Sequence, residues 1–142
     1  MALFDLFNGG ATPALISTLT FNEARLAVIS ENIANATTPG YRAKQLDPYA
    51  FQASLRKALD ERRGPGDAWV VEGPQAKTMP SGHLDVTPSL KPVDNALFHD
   101  GTNISLEREM ADLAETAMTH ELASELLSGN FDRLRKAIRG TA

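Results

Sequence analysis

The sequence predicts a mainly α-helical protein in which a long helix at each end flanks a Pro/Gly-rich, largely irregular middle segment. Near both ends of the 142-residue chain, apolar residues recur in alternating steps of three and four, the spacing that places them on one face of a helix. Seven of the eight prolines lie between Pro39 and Pro92, where they interrupt regular structure. We therefore divide the chain into an N-terminal segment (1–41), a middle segment (42–103) and a C-terminal helix (104–142).

The first helix is expected to begin at Thr12-Pro13 and to end by about residue 37. Threonine can cap the free amides of a helix start, and proline at the first helical position loses no hydrogen bond. Pro39-Gly40 suits the two central positions of a type II turn, which stops the helix. The residues predicted to form the seam of this helix against a partner are Leu15, Leu19, Leu26, Ile29 and Ile33.

The middle segment is expected to hold a second, shorter helix and loops. Asp47-Pro48 predicts the helix start, because an aspartate cap followed by a first-turn proline is a common opening. Between residues 62 and 103 only the stretch 68–72 has strand character, and Gly/Pro pairs surround it. We expect loops there, with a short hairpin.

The last helix has the most regular apolar pattern. Acidic residues lie toward its start and basic residues toward its end, as the helix dipole prefers, and Gly140 supplies a stop. The residues predicted to form its seam within the subunit are Leu106, Met110, Leu113, Leu127, Phe131, Leu134 and Ile138.

A second apolar row on the same helix consists of Met118, Leu122 and Leu126. These residues lie nearly opposite Leu127, so a single partner helix cannot cover both faces. Two alternatives remain open: the row is a contact between subunits, or the middle segment of the same chain covers it.

The composition argues against several classes of function. The formal net charge of -4 leaves no basic surplus for a nucleic acid, and the absence of cysteine removes thiolate chemistry and disulfides. The three histidines lie far apart, so no metal site is predicted, and His120 is expected to be a partly buried, hydrogen-bonded residue of the seam. No set of residues forms a recognisable catalytic or cofactor motif. We expect no enzyme activity, no cofactor and no small-molecule substrate.

The start of the sequence predicts no cleavable secretory signal. The opening residues lack a basic region and Asp5 interrupts their apolar run, so a secretory signal peptide is not predicted. No stretch approaches the roughly 20 apolar residues that cross a bilayer. Direct insertion into a membrane is therefore not expected.

The most informative stretch reads Asn-Ile-Ala-Asn-Ala-Thr-Thr-Pro-Gly-Tyr and ends at Tyr41. It closely resembles the N-terminal signature of the flagellar rod and hook proteins. In the C-terminal half, residues 100–103, 106–110, 126–131 and 134–140 are similar to the FlgB-type proximal rod proteins. The signature residues that carry the resemblance are Asn32, Ile33, Ala34, Asn35, Thr38, Pro39, Gly40 and Tyr41.

The resemblance implies a structural subunit of the bacterial flagellar basal body. In this family the terminal helices pair as an antiparallel coiled-coil hairpin, and the subunits stack helically to link the membrane ring to the distal rod and transmit torque. It implies contacts with other copies and with neighbouring rod and ring-junction proteins. It also implies a periplasmic location, reached through the flagellar type III export apparatus without cleavage of a signal peptide. The alternative is a soluble helical adaptor or secretion chaperone of that export system.

Overall fold

The computed structural model describes residues 10–64, 67–92 and 105–140. In chain order the elements are α1 (Thr12–Ala34), β1 (Lys44–Gln45), α2 (Pro48–Glu61), β2 (Ala76–Thr78), β3 (Leu84–Val86), β4 (Ser89–Leu90) and α3 (Leu106–Arg139). The prediction of a mainly helical chain with an irregular middle is confirmed. Residues 1–9 and 93–104, including the quoted motif at 100–103, lie outside the described residues.

Helix α1 begins where the sequence predicts, but Thr12 is not its cap. Ala11 occupies the cap position and makes no side-chain hydrogen bond. Thr12 and Pro13 are the first two residues of the helix itself. Proline is tolerated there because an amide in the first helical turn has no partner within the helix.

The turn after α1 has the predicted form. The helix ends at Ala34, and the Tyr41 N–H donates to the Thr38 carbonyl at 3.2 Å, which closes a four-residue turn. Gly40 stands at the third position with φ of 75°. A type II turn requires a positive φ at this position, where glycine is the residue without a steric penalty.

The other helix boundaries also follow the sequence. Asp47 caps α2, accepting hydrogen bonds from the amides of Tyr49 at 2.9 Å and Ala50 at 3.2 Å. Gly140 ends α3 with φ of 69°. Acidic residues in the first turn of α3 and basic residues in its last turn complement the helix dipole, as expected.

Two small antiparallel sheets organise the middle segment. Strands β2 and β3 form the expected hairpin, with Ala76 opposite Val86 and Thr78 opposite Leu84, and β1 pairs with β4. The strand predicted at 68–72 was wrong, since only Glu72 forms an isolated bridge there. Val71 instead donates its amide to the Thr78 hydroxyl at 2.9 Å, so a side chain replaces the regular ladder bond.

The apolar core lies between α1 and the middle segment. Phe21 of α1 and Phe51 of α2 stack with ring centroids 4.1 Å apart and planes 2° apart. Trp69 packs against this core, and its indole N–H donates to the Ser17 hydroxyl at 2.9 Å. The buried core residues are Phe21, Val28, Leu46, Phe51, Ala58, Val71, Ala76 and Leu84. None belongs to α3, so the terminal helices meet through a different kind of contact.

The turn at Gly40 allows a matched test. A Cβ built on Gly40 meets no atom within 4 Å, so Gly40→Val acts through backbone strain alone, at a cost of about 1 to 3 kcal/mol. Gly64 also has open space around it and no positive φ. We expect Gly40→Val to lower the free energy of unfolding in urea by more than Gly64→Val does. Equal values for the two variants would show that the turn does not constrain the fold.

Candidate functional site

Helices α1 and α3 pack along a row of α3 that is largely polar. Its buried members are Glu109, Thr116 and Ala123, with exposed fractions of 1%, 0% and 4%. A spacing of seven residues keeps them on one stripe of the helix. Two of these three residues carry polar side chains, so hydrogen bonding must satisfy them inside the contact.

Three hydrogen bonds join the helices along this stripe. Arg25 Nη1 donates to Thr116 Oγ1 at 2.8 Å. Asn32 Nδ2 donates to Glu109 Oε2 at 3.0 Å. The residue numbers of each pair add to 141, and the longer bond from Asn22 Nδ2 to Thr119 Oγ1, at 3.3 Å, gives the same total. The two helices therefore run in opposite directions in one register. We call these six residues the polar seam.

Arg25 is buried in the middle of the polar seam. Its guanidinium lies 3.7 Å from the Asp112 carboxylate and 3.8 Å from the Glu115 carboxylate. A buried arginine is strongly destabilising unless its charge and its donors find partners. Because all of these partners stand on α3, Arg25 favours the observed register over a shifted one.

Asn32 is the most highly connected side chain of the polar seam. Its Nδ2 donates to Glu109 and, at 2.8 Å, to the Lys44 carbonyl. Its Oδ1 accepts from the Lys44 amide at 3.0 Å and from the Tyr41 hydroxyl at 3.1 Å. An asparagine side chain offers two donors and two acceptor positions, so Asn32 is fully satisfied although it is only 1% exposed. One side chain thus joins α1, the turn at Tyr41, β1 and α3.

Glu109 brings the middle segment into the same network. Its Oε1 contacts the ammonium of Lys91, which follows β4. The Lys91 amide donates in turn to the Ala43 carbonyl at 2.8 Å. A carboxylate with so little exposure needs a counter-charge, and Lys91 supplies it.

Electrostatics keep the Tyr41 hydroxyl a donor. Burial and the nearby Glu31 carboxylate both raise the pKa of Tyr41 above its ordinary value. The hydrogen bond from Lys44 Nζ to Glu31, at 2.7 Å, raises the pKa of Lys44. Both side chains are protonated at neutral pH in any case, and the raised pKa values keep them protonated to a higher pH.

The remaining signature residues have local roles. Asn35 Nδ2 donates to the Glu31 carbonyl at 2.9 Å, and the Thr38 hydroxyl donates to Asn35 Oδ1 at 3.3 Å. Ile33 is half-buried and Ala34 is exposed. Thus only Asn32 and Tyr41 reach the polar seam network, while Asn35 and Thr38 order the turn.

The structure places the predicted apolar seam differently from the sequence. On α1, Ile29 is buried, whereas Leu15, Leu19, Leu26 and Ile33 are half-buried. On α3, Leu113, Leu127 and Leu134 are half-buried, whereas Leu106, Met110, Phe131 and Ile138 are exposed. The buried row of α3 lies one residue earlier than predicted, at Glu109 instead of Met110. Hydrophobic periodicity missed it because its members are glutamate, threonine and alanine.

The second apolar row of α3 is exposed in the single chain. Met118 is 71% exposed, Leu122 57% and Leu126 52%. Leu122 and Leu126 line an open cavity of about 260 Å³ together with residues of α1 and α2, among them Leu15 and Leu55. We call this cavity the apolar groove. That the row contacts another subunit stays a prediction.

The described residues show neither a metal site nor a membrane span. They bring no three His, Asp or Glu side chains together as a metal ion would require. No helix among them combines the length and apolar character needed to cross a bilayer. His120 is half-buried as expected, but its buried Nδ1 finds no hydrogen-bond partner among the described residues, contrary to the prediction of a hydrogen-bonded histidine.

Comparisons with known proteins agree with the signature. Residues 14–42 match the family model described as "Flagella basal body rod protein". The chain is 30% identical over 125 residues to the flagellar basal body rod protein FlgB of Cereibacter sphaeroides, covering 86% of this chain and 88% of the relative. It is 28% identical over 129 residues to FlgB of Escherichia coli, covering 85% and 87% respectively. FlgB of Yersinia enterocolitica is 24% identical over 129 residues, covering 85% and 88%.

Removal of the Asn32 side chain tests the polar seam. Asn32→Ala removes the hydrogen bonds that Asn32 makes to Glu109 Oε2 and to the Lys44 amide and carbonyl, although Glu109 keeps its contact with Lys91. We expect the free energy of unfolding to fall by at least about 2 kcal/mol, because buried polar groups lose their partners. Asn35→Ala, which removes local bonds at the helix end, is the matched control and should cost about 1 kcal/mol or less. Urea unfolding followed by circular dichroism measures both. A loss for Asn32→Ala no larger than the control would remove the central role assigned to Asn32.

Proposed function

The chain belongs to the family of FlgB-type flagellar basal-body rod proteins, and we propose that it assembles helically through its terminal helices into the proximal rod. It is a structural subunit and not an enzyme. In the proposed assembly the rod connects the membrane ring to the distal rod and transmits torque. The partners are other copies of the chain and the neighbouring rod and ring-junction proteins.

The polar seam supports a role in carrying load. Polar side chains at single buried positions of a helix pair fix its register, because a shifted pairing would leave them unsatisfied. Arg25 and Asn32 are such positions, and their partners Thr116 and Glu109 lie two helical turns apart on α3. We propose that α1 and α3 form an antiparallel coiled coil whose register resists sliding under torque.

The exposed apolar row of α3 is the observation that most strongly supports the proposed assembly. The side of α3 that contacts α1 is closed by hydrogen bonds, yet Met118, Leu122 and Leu126 remain mostly exposed. An apolar row on a soluble surface favours contact with another protein. Contacts between different patches of identical copies, repeated with a rotation that does not close, generate a helical tube instead of a ring.

The first test places a charge on this row. Leu122→Asp is expected to leave the helix content and solubility of the free chain unchanged, because residue 122 is exposed. Its recovery in purified basal bodies should fall about tenfold or more, since a carboxylate without a partner in an apolar interface costs several kcal/mol. Ser124→Asp introduces the same charge at an exposed site outside the groove and should assemble normally.

Two outcomes would contradict the proposed interface. Normal incorporation of Leu122→Asp would show that the row is not an interface. Unfolding of the free Leu122→Asp chain would assign the row to the subunit's own core.

The second test concerns the route of export. We propose that the chain leaves the cytoplasm through the flagellar type III apparatus and reaches the periplasmic rod with its N-terminal region intact. Mass spectrometry of the chain from purified basal bodies should find residues 2–20 present. Loss of a segment of about 15 to 30 residues would indicate a cleaved secretory signal instead. Recovery of the chain only from the cytoplasm would favour the adaptor or chaperone alternative.

A further inference from the structure

Acidic and basic side chains occupy different parts of α3, and most of them make no ion pair within the described part of the chain. Glu121 and Glu125 lie beside the exposed apolar row, and Arg133, Lys136 and Arg139 lie near the end of the helix. Among the described residues, none of these five forms an ion pair. Within the described part of the chain, Arg135 pairs only with the exposed Asp132 on its own helix, at 3.5 Å. The helix therefore presents an acidic region and a basic region whose charges are not neutralised by another element of the described chain.

The basic region lies on a part of α3 that extends past α1. In the register of the polar seam, Thr12 at the start of α1 stands opposite residue 129. Residues 130–139 continue for ten more residues, about 15 Å of helix. Leu134 is half-buried there and Ile138 is 69% exposed. These two residues are four apart, so they share one face of the helix.

We propose that the basic end of α3 of one copy docks into the apolar groove of the next copy. Leu134 and Ile138 of the first copy lie between Leu55 and Leu126 of the second, and Arg135, next to Leu134 on the helix, faces Glu125. A helix with apolar residues at such spacing suits a groove between two other helices. Opposite charges at the rim select this pairing over end-to-end or groove-to-groove contact, where like charges would meet.

This contact is heterologous, because the surface that docks and the surface that receives are different parts of one chain. Each copy therefore keeps one free end and one free groove, and copies can add in series. The inference rests on the proposed assembly and specifies which two surfaces meet. The occupant is a second copy of the chain.

Crosslinking tests the pairing directly, because the chain contains no cysteine. Two single variants, Glu125→Cys and Arg135→Cys, are expressed together, and purified basal bodies are treated with a short thiol-specific crosslinker. Each copy carries one thiol, so every crosslink joins two copies. The control replaces Glu125→Cys by Ser124→Cys, an exposed site of the same helix outside the groove.

We expect a covalent dimer from the mixture that is several-fold stronger than from either variant alone or from the control mixture. Equal dimer from the control mixture would overturn the inference. No dimer above background would also overturn it. If the variants are recovered in basal bodies without this crosslink, only the docking inference fails; if the chain is absent from basal bodies, the proposed function fails.

Charge exchange provides an independent measurement. Glu125→Lys should weaken recovery of the chain in basal bodies by about two- to fivefold, the range of an exposed ion pair. Adding Arg135→Glu to the same chain restores opposite charges at the contact and should return recovery toward that of the unaltered protein. Failure of the second change to rescue the first would contradict the pairing of these two regions.

Discussion

The hydrogen bond between Asn32 and Glu109 is the contact on which the arrangement of the terminal helices depends. Both side chains are almost fully buried. Asn32 also bonds to β1 and to the turn at Tyr41, and Glu109 also contacts Lys91. Loss of this bond would leave a buried carboxylate and a buried amide without full compensation, which is more unfavourable than losing an apolar contact of similar size. Together with the contacts of Arg25, this bond fixes the register of α1 and α3.

The fold separates stability from specificity. Apolar burial is concentrated between α1 and the middle segment, around the stacked rings of Phe21 and Phe51. Polar contacts are concentrated between α1 and α3. Apolar packing contributes free energy with little directional preference, whereas buried polar groups tolerate few alternative pairings. The proposed assembly needs both, since a subunit must fold and also hold a defined geometry against its neighbours.

In the proposed assembly, the same separation leaves surfaces of α3 available for contacts between copies. Because the α1 side of α3 is closed by its own partners, the row at Leu122 and the basic helix end are not required for the hairpin. These surfaces differ in charge, so identical copies can contact one another through unlike regions. The N-terminal signature contributes indirectly, since Asn32 and Tyr41 order the helix pair that presents both surfaces.

The sequence by itself determined the helices, their ends and the family of the protein. Asp47, Gly40 and Gly140 act through local backbone rules that need no knowledge of distant residues. The signature ending at Tyr41 was likewise readable without a structure. The packing face of α3 was decided only by the tertiary structure, because hydrophobic periodicity cannot identify a stripe made of glutamate, threonine and alanine. Asn32 and Lys91 are remote from Glu109 in sequence, and both contact its carboxylate in the folded chain. These contacts allow the charge to be buried, and no local pattern in the sequence predicts them.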